Sequence, residues 1–126
     1  MPQTSGYSGT PLVRKLGIKP GFRVRTKNAP ADYLSMIDSL PEGVKVSARL
    51  KPPFDMMHFF TKSRSELTQH LPVFMDSIQQ AGMIWVSWPK RASGVSSDIT
   101  EDVIREVALP LGLVDIKVCA VDEVWS

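Results

Sequence analysis

The sequence is poor in the residues and segments that mark several common classes of protein. Its single cysteine, Cys119, cannot form an internal disulfide and is typical of a protein from a reducing compartment. No stretch approaches the roughly 20 consecutive apolar residues that a membrane helix needs. The first residues also contain no apolar run of secretory length. We therefore expect a cytoplasmic protein with no membrane partner.

The motifs that accompany common cofactors and metals are missing as well. A dinucleotide site requires closely spaced glycines after the first strand, where this chain has the glycine-free stretch NAPADYL, residues 28–34. The two histidines, His58 and His70, are twelve residues apart, which is not the spacing of a metal site. We expect His58 to be a hydrogen-bonded core residue and His70 to lie at the surface. The pattern predicts no cofactor and no metal, and it leaves any catalytic residue unknown.

The composition is that of an ordinary globular protein. Of 126 residues, 43% are hydrophobic and 22% are charged, which predicts one domain over residues 1–126, with residues 1–20 as an N-terminal arm and a short helix. The net charge of +2 is uneven: residues 1–30 contain six basic side chains and no acidic one, whereas residues 98–126 contain seven acidic and two basic ones. No basic patch interleaved with aromatic residues accompanies this asymmetry. We therefore expect the two ends to neutralise each other, and we expect no nucleic-acid partner.

Strand-like stretches alternate with helix-like stretches along the chain. Hydrophobic patterning predicts strands at residues 22–28, 44–50, 54–60, 82–88 and 115–121. Ser63 and Glu66 form a capping box that begins the longest helix, and Pro72 should kink that helix or split it. The last helix is capped by Thr100. This alternation predicts an α/β fold, a small Rossmann-like three-layer domain whose mainly parallel sheet has about five strands in the order 2-1-3-4-5.

The first predicted strand is more polar than a central strand of a parallel sheet usually is. In the stretch FRVRTKN, Phe22, Val24 and Thr26 alternate with basic residues, so that one face of the strand is polar. A central strand of a parallel sheet is normally apolar on both faces. We therefore expect either a thin cover over the polar face or a partner subunit of a homo-oligomer.

Polar and basic residues follow three strands that are neighbours in the predicted order. In open parallel sheets, ligands bind beyond the carboxyl ends of the strands, near the point where the strand order reverses. The loops after the first, third and fourth strands should therefore meet at one edge. Ser63 also begins a helix, whose free backbone N–H groups favour an anion. The sequence predicts a site for an anionic small molecule formed by Asn28, Lys62, Ser63, Lys90, Arg91, Ser93 and Gly94.

Two other functions remain open at this point. One is a methyltransferase-like enzyme of unknown substrate, with Asp122 or Glu123 as acid or base. The lack of a recognisable nucleophile, metal site or glycine-rich loop weighs against it. The other is a protein-interaction domain, for which the polar face of the first strand and Trp125 would be the contact surfaces.

Seven segments, in order from Gly6 to Ser126, resemble a known family. They are GYSGTPLVRKLGIKPGFRV, NAP, LPEGV, SRSEL, WVSWPKRASG, DITEDVIREVAL and GLVDIKVCAVDEVWS. With this order and spacing, the chain is similar to the small bacterial proteins of the family called domain of unknown function 3052. The resemblance implies no particular activity, because that family has no established reaction. It implies one more strand after Ser126, and thus a truncated chain, and it makes residues 90–94 and 118–126 the most distinctive parts.

Overall fold

The computed structural model describes residues 11–113, 121–122 and 124–126. In chain order, the elements are α1 (Leu12–Leu16), β1 (Arg23–Lys27), α2 (Tyr33–Met36), β2 (Lys45–Ser47), β3 (Phe54–Phe60), α3 (Arg64–Ser77), β4 (Ile78–Ser87) and α4 (Glu101–Ala108), with 3-10 turns at Arg91–Ser93 and Leu109–Leu111. The fifth predicted strand, residues 115–121, lies outside the described residues except for Val121. Cys119 and Glu123 also lie outside them.

The strands form one parallel sheet in the order β2-β1-β3-β4. The predicted α/β fold is confirmed, with four described strands instead of about five. β3 lies between β1 and β4, so that His58 is opposite Thr26 on one side and Trp85 on the other. After β2 the chain returns to the other side of β1. The point where the strand order reverses therefore falls between β1 and β3.

Side chains at alternate strand positions pack into two cores, one on each face of the sheet. One core contains Val24, Met56 and Phe60 and is covered by α1 and α2. The other contains Met57 and Phe59 and is covered by α3 and α4. Because β3 supplies buried side chains to both cores, its sequence, FDMMHFF, is almost entirely apolar.

The polar face of β1 is covered by the chain itself. The guanidinium group of Arg23 donates to two backbone oxygens of residues 50–53, at 3.2 and 2.8 Å. Arg25 donates to a third backbone oxygen of this segment at 3.1 Å, and its guanidinium carbon is 5.6 Å from the centre of the Phe54 ring. The basic residues thus fasten the crossover between β2 and β3 to the sheet. These contacts give both arginines partners within one chain, although the buried Nε of Arg25 has no hydrogen-bond partner among the described residues. The alternating pattern therefore does not require a partner subunit.

The two longest helices begin at the predicted capping residues. Ser63 Oγ accepts the N–H of Glu66 at 3.2 Å, and Thr100 Oγ1 accepts the N–H of Val103 at 3.2 Å. Caps of this kind stabilise a helix by about 1 kcal/mol each. Both helix starts are therefore set by local sequence.

The structure corrects three details of the helix predictions. α3 runs through Pro72 as one helix, so the prediction that Pro72 splits it is wrong. Buried Leu71 and Phe74 on either side of the proline hold both halves against the sheet, and this packing outweighs the lost backbone hydrogen bond. The spacing of Leu67, Leu71, Phe74 and Ile78 predicts one apolar helical stripe, but Ile78 is the first residue of β4, opposite Phe54. The stretch ADYLSMIDSL, residues 31–40, predicts a helix of that length, whereas α2 spans four residues.

Candidate functional site

The carboxyl ends of β1, β3 and β4 lie side by side because these strands are parallel neighbours. We call the surface formed there the rim and define it as residues 28, 61–66 and 88–98. The rim contains all seven residues that the sequence predicted for an anion site. It also borders the point where the strand order reverses, the usual place for a ligand in an open parallel sheet.

Hydrogen bonds join the three loops of the rim into one surface. The N–H of Thr61 donates to the backbone oxygen of Ser87 at 3.0 Å, and the N–H of Asp98 donates to the backbone oxygen of Lys62 at 3.2 Å. These two bonds connect the loop after β3 to the loop after β4. Asn28, after β1, is joined to the loop after β3 by the hydrogen bonds from its amide to Phe60 and Glu66. The rim is therefore a continuous surface instead of three independent loops.

The N-terminus of α3 is bonded to side chains of the protein itself. Asp98 Oδ1 accepts the N–H of Arg64 at 2.6 Å, beside the Ser63 cap on the N–H of Glu66. The carboxylate of Asp98 thus lies where the helix dipole favours a negative charge. The helix end that the sequence offered to an anionic ligand holds an acidic side chain of this chain.

A second carboxylate bridges the point where the strand order reverses. Glu66 Oε1 accepts the hydroxyl of Thr61 at 2.6 Å, and Glu66 Oε2 accepts the amide Nδ2 of Asn28 at 3.3 Å. The same Nδ2 group donates to the backbone oxygen of Phe60 at 3.2 Å. Asn28 has a φ of 59°, a left-handed conformation that asparagine tolerates better than most residues. These bonds link the ends of β1 and β3 directly.

The basic residues of the rim differ in their surroundings. Lys62 and Arg91 are exposed, whereas Lys90 is half-buried and its backbone N–H donates to the oxygen of Val124 at 2.6 Å. Ser93 and Gly94 shape the loop. The Ser93 hydroxyl donates to the backbone oxygen of Lys90 at 2.6 Å, and Gly94 ends the 3-10 turn with a φ of 77°. Arg64 is exposed as well, but it forms an ion pair with Glu106 at 2.7 Å. The exposed basic side chains of the rim that pair with no acid among the described residues are therefore Lys62 and Arg91.

A buried chain of three polar side chains lies below the rim. His58 Nδ1 is hydrogen-bonded to the hydroxyl of Tyr33 and His58 Nε2 to the hydroxyl of Ser87, both at 2.8 Å. His58 also stacks on Phe60, with 4.3 Å between ring centroids. The prediction that His58 is a hydrogen-bonded core residue is confirmed. The only signal for Ser87 in the sequence is one serine within an otherwise apolar strand.

In this group, Ser87 stands where a nucleophile would be, His58 where its base would be and Tyr33 where an orienting group would be. Their protonation properties, however, do not suit catalysis. Burial lowers the pKa of His58 from 6.5 to about 3, and burial raises the pKa of Tyr33 above its ordinary value. A general base near neutral pH needs a pKa close to the working pH. His58 and Ser87 are 0% and 1% exposed. We therefore assign these side chains a structural role, in which a neutral imidazole donates one hydrogen bond and accepts one.

Asp122, the candidate acid or base of an enzyme, stabilises a turn. Its Oδ1 accepts the N–H groups of Val124 and Trp125, both at 2.8 Å. After this turn, Ser126 forms two backbone hydrogen bonds with Trp88, at 3.2 and 2.8 Å. The Trp125 indole meets the Phe60 ring edge-on, at 4.9 Å between centroids. Trp125, named above as a contact surface, thus packs partly against the core.

A cavity of about 540 Å³ lies along the outer edge of β4, between α1 and α4. Its wall is mainly apolar and includes Leu16, Met83 and Ile104. Leu113 and Val121 also line it, and residues 114–120, which join them, lie outside the described part of the chain. We therefore base no function on this cavity.

Searches for metal ligands, membrane spans and known relatives provide no further assignment. Within residues 11–113, 121–122 and 124–126, no three His, Cys, Asp or Glu side chains are grouped so as to hold a metal ion. No helix in that part of the chain is long and apolar enough to cross a membrane. Comparison of the chain with protein-family models, curated proteins and solved structures gives no match. The family resemblance drawn from sequence segments stays a prediction, and function must be argued from the site.

Proposed function

We propose that the protein is a non-enzymatic binding module that holds an anionic small molecule on the outer surface of the rim. The observation that supports this proposal is that Lys62 and Arg91, both exposed, stand on two loops that are joined by the hydrogen bond from Asp98 to Lys62. This bond holds the two loops together, and the proposal is that one anion meets positive charge from both. Among the described residues, Ser87 and His58 are the only serine and histidine that are hydrogen-bonded to each other. Because we assign both side chains a structural role, binding is favoured over catalysis.

The carboxylates of the rim limit where the anion can bind. Asp98 covers the N-terminus of α3, and Glu66 lies between the ends of β1 and β3. An anion must therefore bind to side chains at the outer surface instead of backbone N–H groups. Exposed ion pairs contribute about 0.2–1 kcal/mol each. Two such pairs contribute about 0.4–2 kcal/mol, so we expect a dissociation constant of roughly 30 mM or weaker for a simple multivalent anion, and strong weakening by salt.

Calorimetric titration with inorganic pyrophosphate tests the proposal. The wild-type protein should bind it, and the double variant Lys62→Ala/Arg91→Ala should bind at least fivefold more weakly. The matched control is Lys19→Ala/Lys51→Ala, which removes the same charge from two exposed lysines that precede β1 and β3, at the opposite end of the sheet. Equal loss of affinity in both double variants would show only a response to net charge and would contradict the proposal.

A further inference from the structure

The segment Val124–Ser126 lies over the carboxyl end of the sheet, and we call it the strap. It pairs antiparallel with residues 88–90 through three backbone hydrogen bonds, and Trp125 lies opposite Pro89 in this pairing. The strap therefore covers the part of the rim that adjoins the end of β4. Its other fixed point is the turn held by Asp122.

The side chain of Trp125 lies against a wall of aromatic rings. Phe60, the last residue of β3, meets the indole edge-on and also contacts the rings of Tyr33 and His58. These three side chains are at most 4% exposed and belong to the core, so the wall does not depend on the strap for its shape. Phe60 is two residues before Lys62. Pro89, which lies opposite Trp125, is likewise two residues before Arg91, so the indole lies where the two loops that carry the exposed positive charge begin.

The strap is less firmly held than the wall beneath it. Val124 is 37% exposed, and Trp125 is only partly buried. The strap is joined to residues 88–90 by three hydrogen bonds, and the backbone oxygen of Trp125 accepts the N–H groups of Val121 and Asp122 at 3.1 and 3.2 Å. Phe60 and His58, in contrast, lie in a central strand that is paired on both sides. Segments with few buried contacts open locally at lower free energy than the core. Local opening of the strap would expose the aromatic wall without unfolding the sheet.

We infer that Trp125 occupies a subsite for a planar aromatic ring and that the strap opens to admit such a ring from the ligand. The inference rests on the proposed function, because the anionic group of the same ligand would lie on Lys62 and Arg91. It adds the ligand class: an anion that carries a flat aromatic ring. An aromatic ring gains edge-on and stacking contacts with a preformed aromatic wall that a purely aliphatic group lacks.

Paired titrations test the subsite. Adenosine monophosphate supplies a ring and a phosphate, and ribose 5-phosphate supplies the phosphate alone. The variant Trp125→Gly should bind adenosine monophosphate at least fivefold more tightly than the wild type, whereas both should bind ribose 5-phosphate equally. Trp85→Gly is the control, because it removes another partly buried indole of the same core, one that is bonded to the Leu16 backbone oxygen away from the rim. This control should gain no affinity for adenosine monophosphate.

The outcomes separate the two proposals. The subsite is refuted and the anion site stands if two results are found together. Trp125→Gly binds adenosine monophosphate no more tightly than the wild type does, and the binding of ribose 5-phosphate depends on Lys62 and Arg91. If neither phosphate binds any variant, the anion site is refuted, and indole alone then decides the subsite. Indole should raise the melting temperature of Trp125→Gly but not that of the wild type, and no rise would refute the subsite.

Hydrogen exchange on the wild-type protein tests the strap without any substitution. The N–H of Lys90 donates to Val124 and the N–H of Ser126 donates to Trp88, and both should exchange at least tenfold faster than the N–H of Thr61, which donates to Ser87. Equal protection of these three groups would show that the strap opens only with the whole protein, and would overturn the inference.

Discussion

The buried imidazole of His58 makes the stability of the protein sensitive to acid. The unfolded chain takes up a proton at this side chain below the ordinary pKa of 6.5, whereas the folded protein resists protonation down to about pH 3. The unfolded state therefore binds more protons within this window. The stabilisation is complete above pH 6.5 and is lost as the pH falls towards 3. Lowering the pH from 7.5 to 5 should reduce the free energy of unfolding by about 2 kcal/mol through His58. The whole contribution of His58, about 5 kcal/mol, should be lost below pH 3.

Urea unfolding at pH 7.5 and pH 5 measures this contribution. The variant His58→Gln provides the comparison, because its amide can still hydrogen-bond to Tyr33 or Ser87 but does not titrate. Its loss of stability between the two pH values should be smaller than that of the wild type by about 2 kcal/mol. Equal losses in the two proteins would refute the reasoning. If the variant does not fold, the imidazole proton resonances of His58 in the wild type should stay constant between pH 5 and 8.

Substitutions at three residues test other contacts, by urea unfolding and, for Glu66, also by titration with pyrophosphate. Gly82→Ala places a Cβ atom 2.9 Å from the backbone oxygen of Gln79 and 3.0 Å from that of Asp55, and should cost about 1–3 kcal/mol; wild-type stability would contradict the packing. Asp122→Ala removes the acceptor of two N–H groups and should cost about 1–2 kcal/mol, whereas Asp122→Asn keeps an acceptor oxygen and should cost less; equal costs would contradict its role in the turn. Glu66→Gln removes a negative charge from the rim and should tighten pyrophosphate binding two- to fivefold, while the loss of one of its two acceptor oxygens should cost about 1–2 kcal/mol of stability; unchanged binding would contradict the electrostatic account of the rim.

The strands and helix starts follow from local sequence. The mainly apolar stretch at residues 54–60 became a central strand with the predicted bounds, because only a strand covered on both faces can bury six of its seven side chains, all but Asp55. Ser63 and Thr100 cap the helices that they were expected to cap. The strand order followed from the alternation of strands and helices together with right-handed crossovers.

The details of the site depend on contacts between residues distant in sequence. Asp98 reaches the N–H of Arg64, 34 positions earlier, and no local pattern indicates that this acid covers a helix end. The partners of Arg23 are backbone oxygens of an irregular segment, so the periodicity of β1 suggested an open face where the chain supplies a cover. The sequence therefore identified the loops that form the rim, but not the carboxylates that restrict what binds there.

Chemical-shift mapping is the most direct test of the central claim that the rim binds anions through Lys62 and Arg91. On addition of pyrophosphate to ¹⁵N-labelled protein, the account predicts the largest amide shifts at residues 61–64 and 90–98, with little change at residues 12–19. Shifts that are largest near α1, or that are spread evenly over all basic residues, would contradict it.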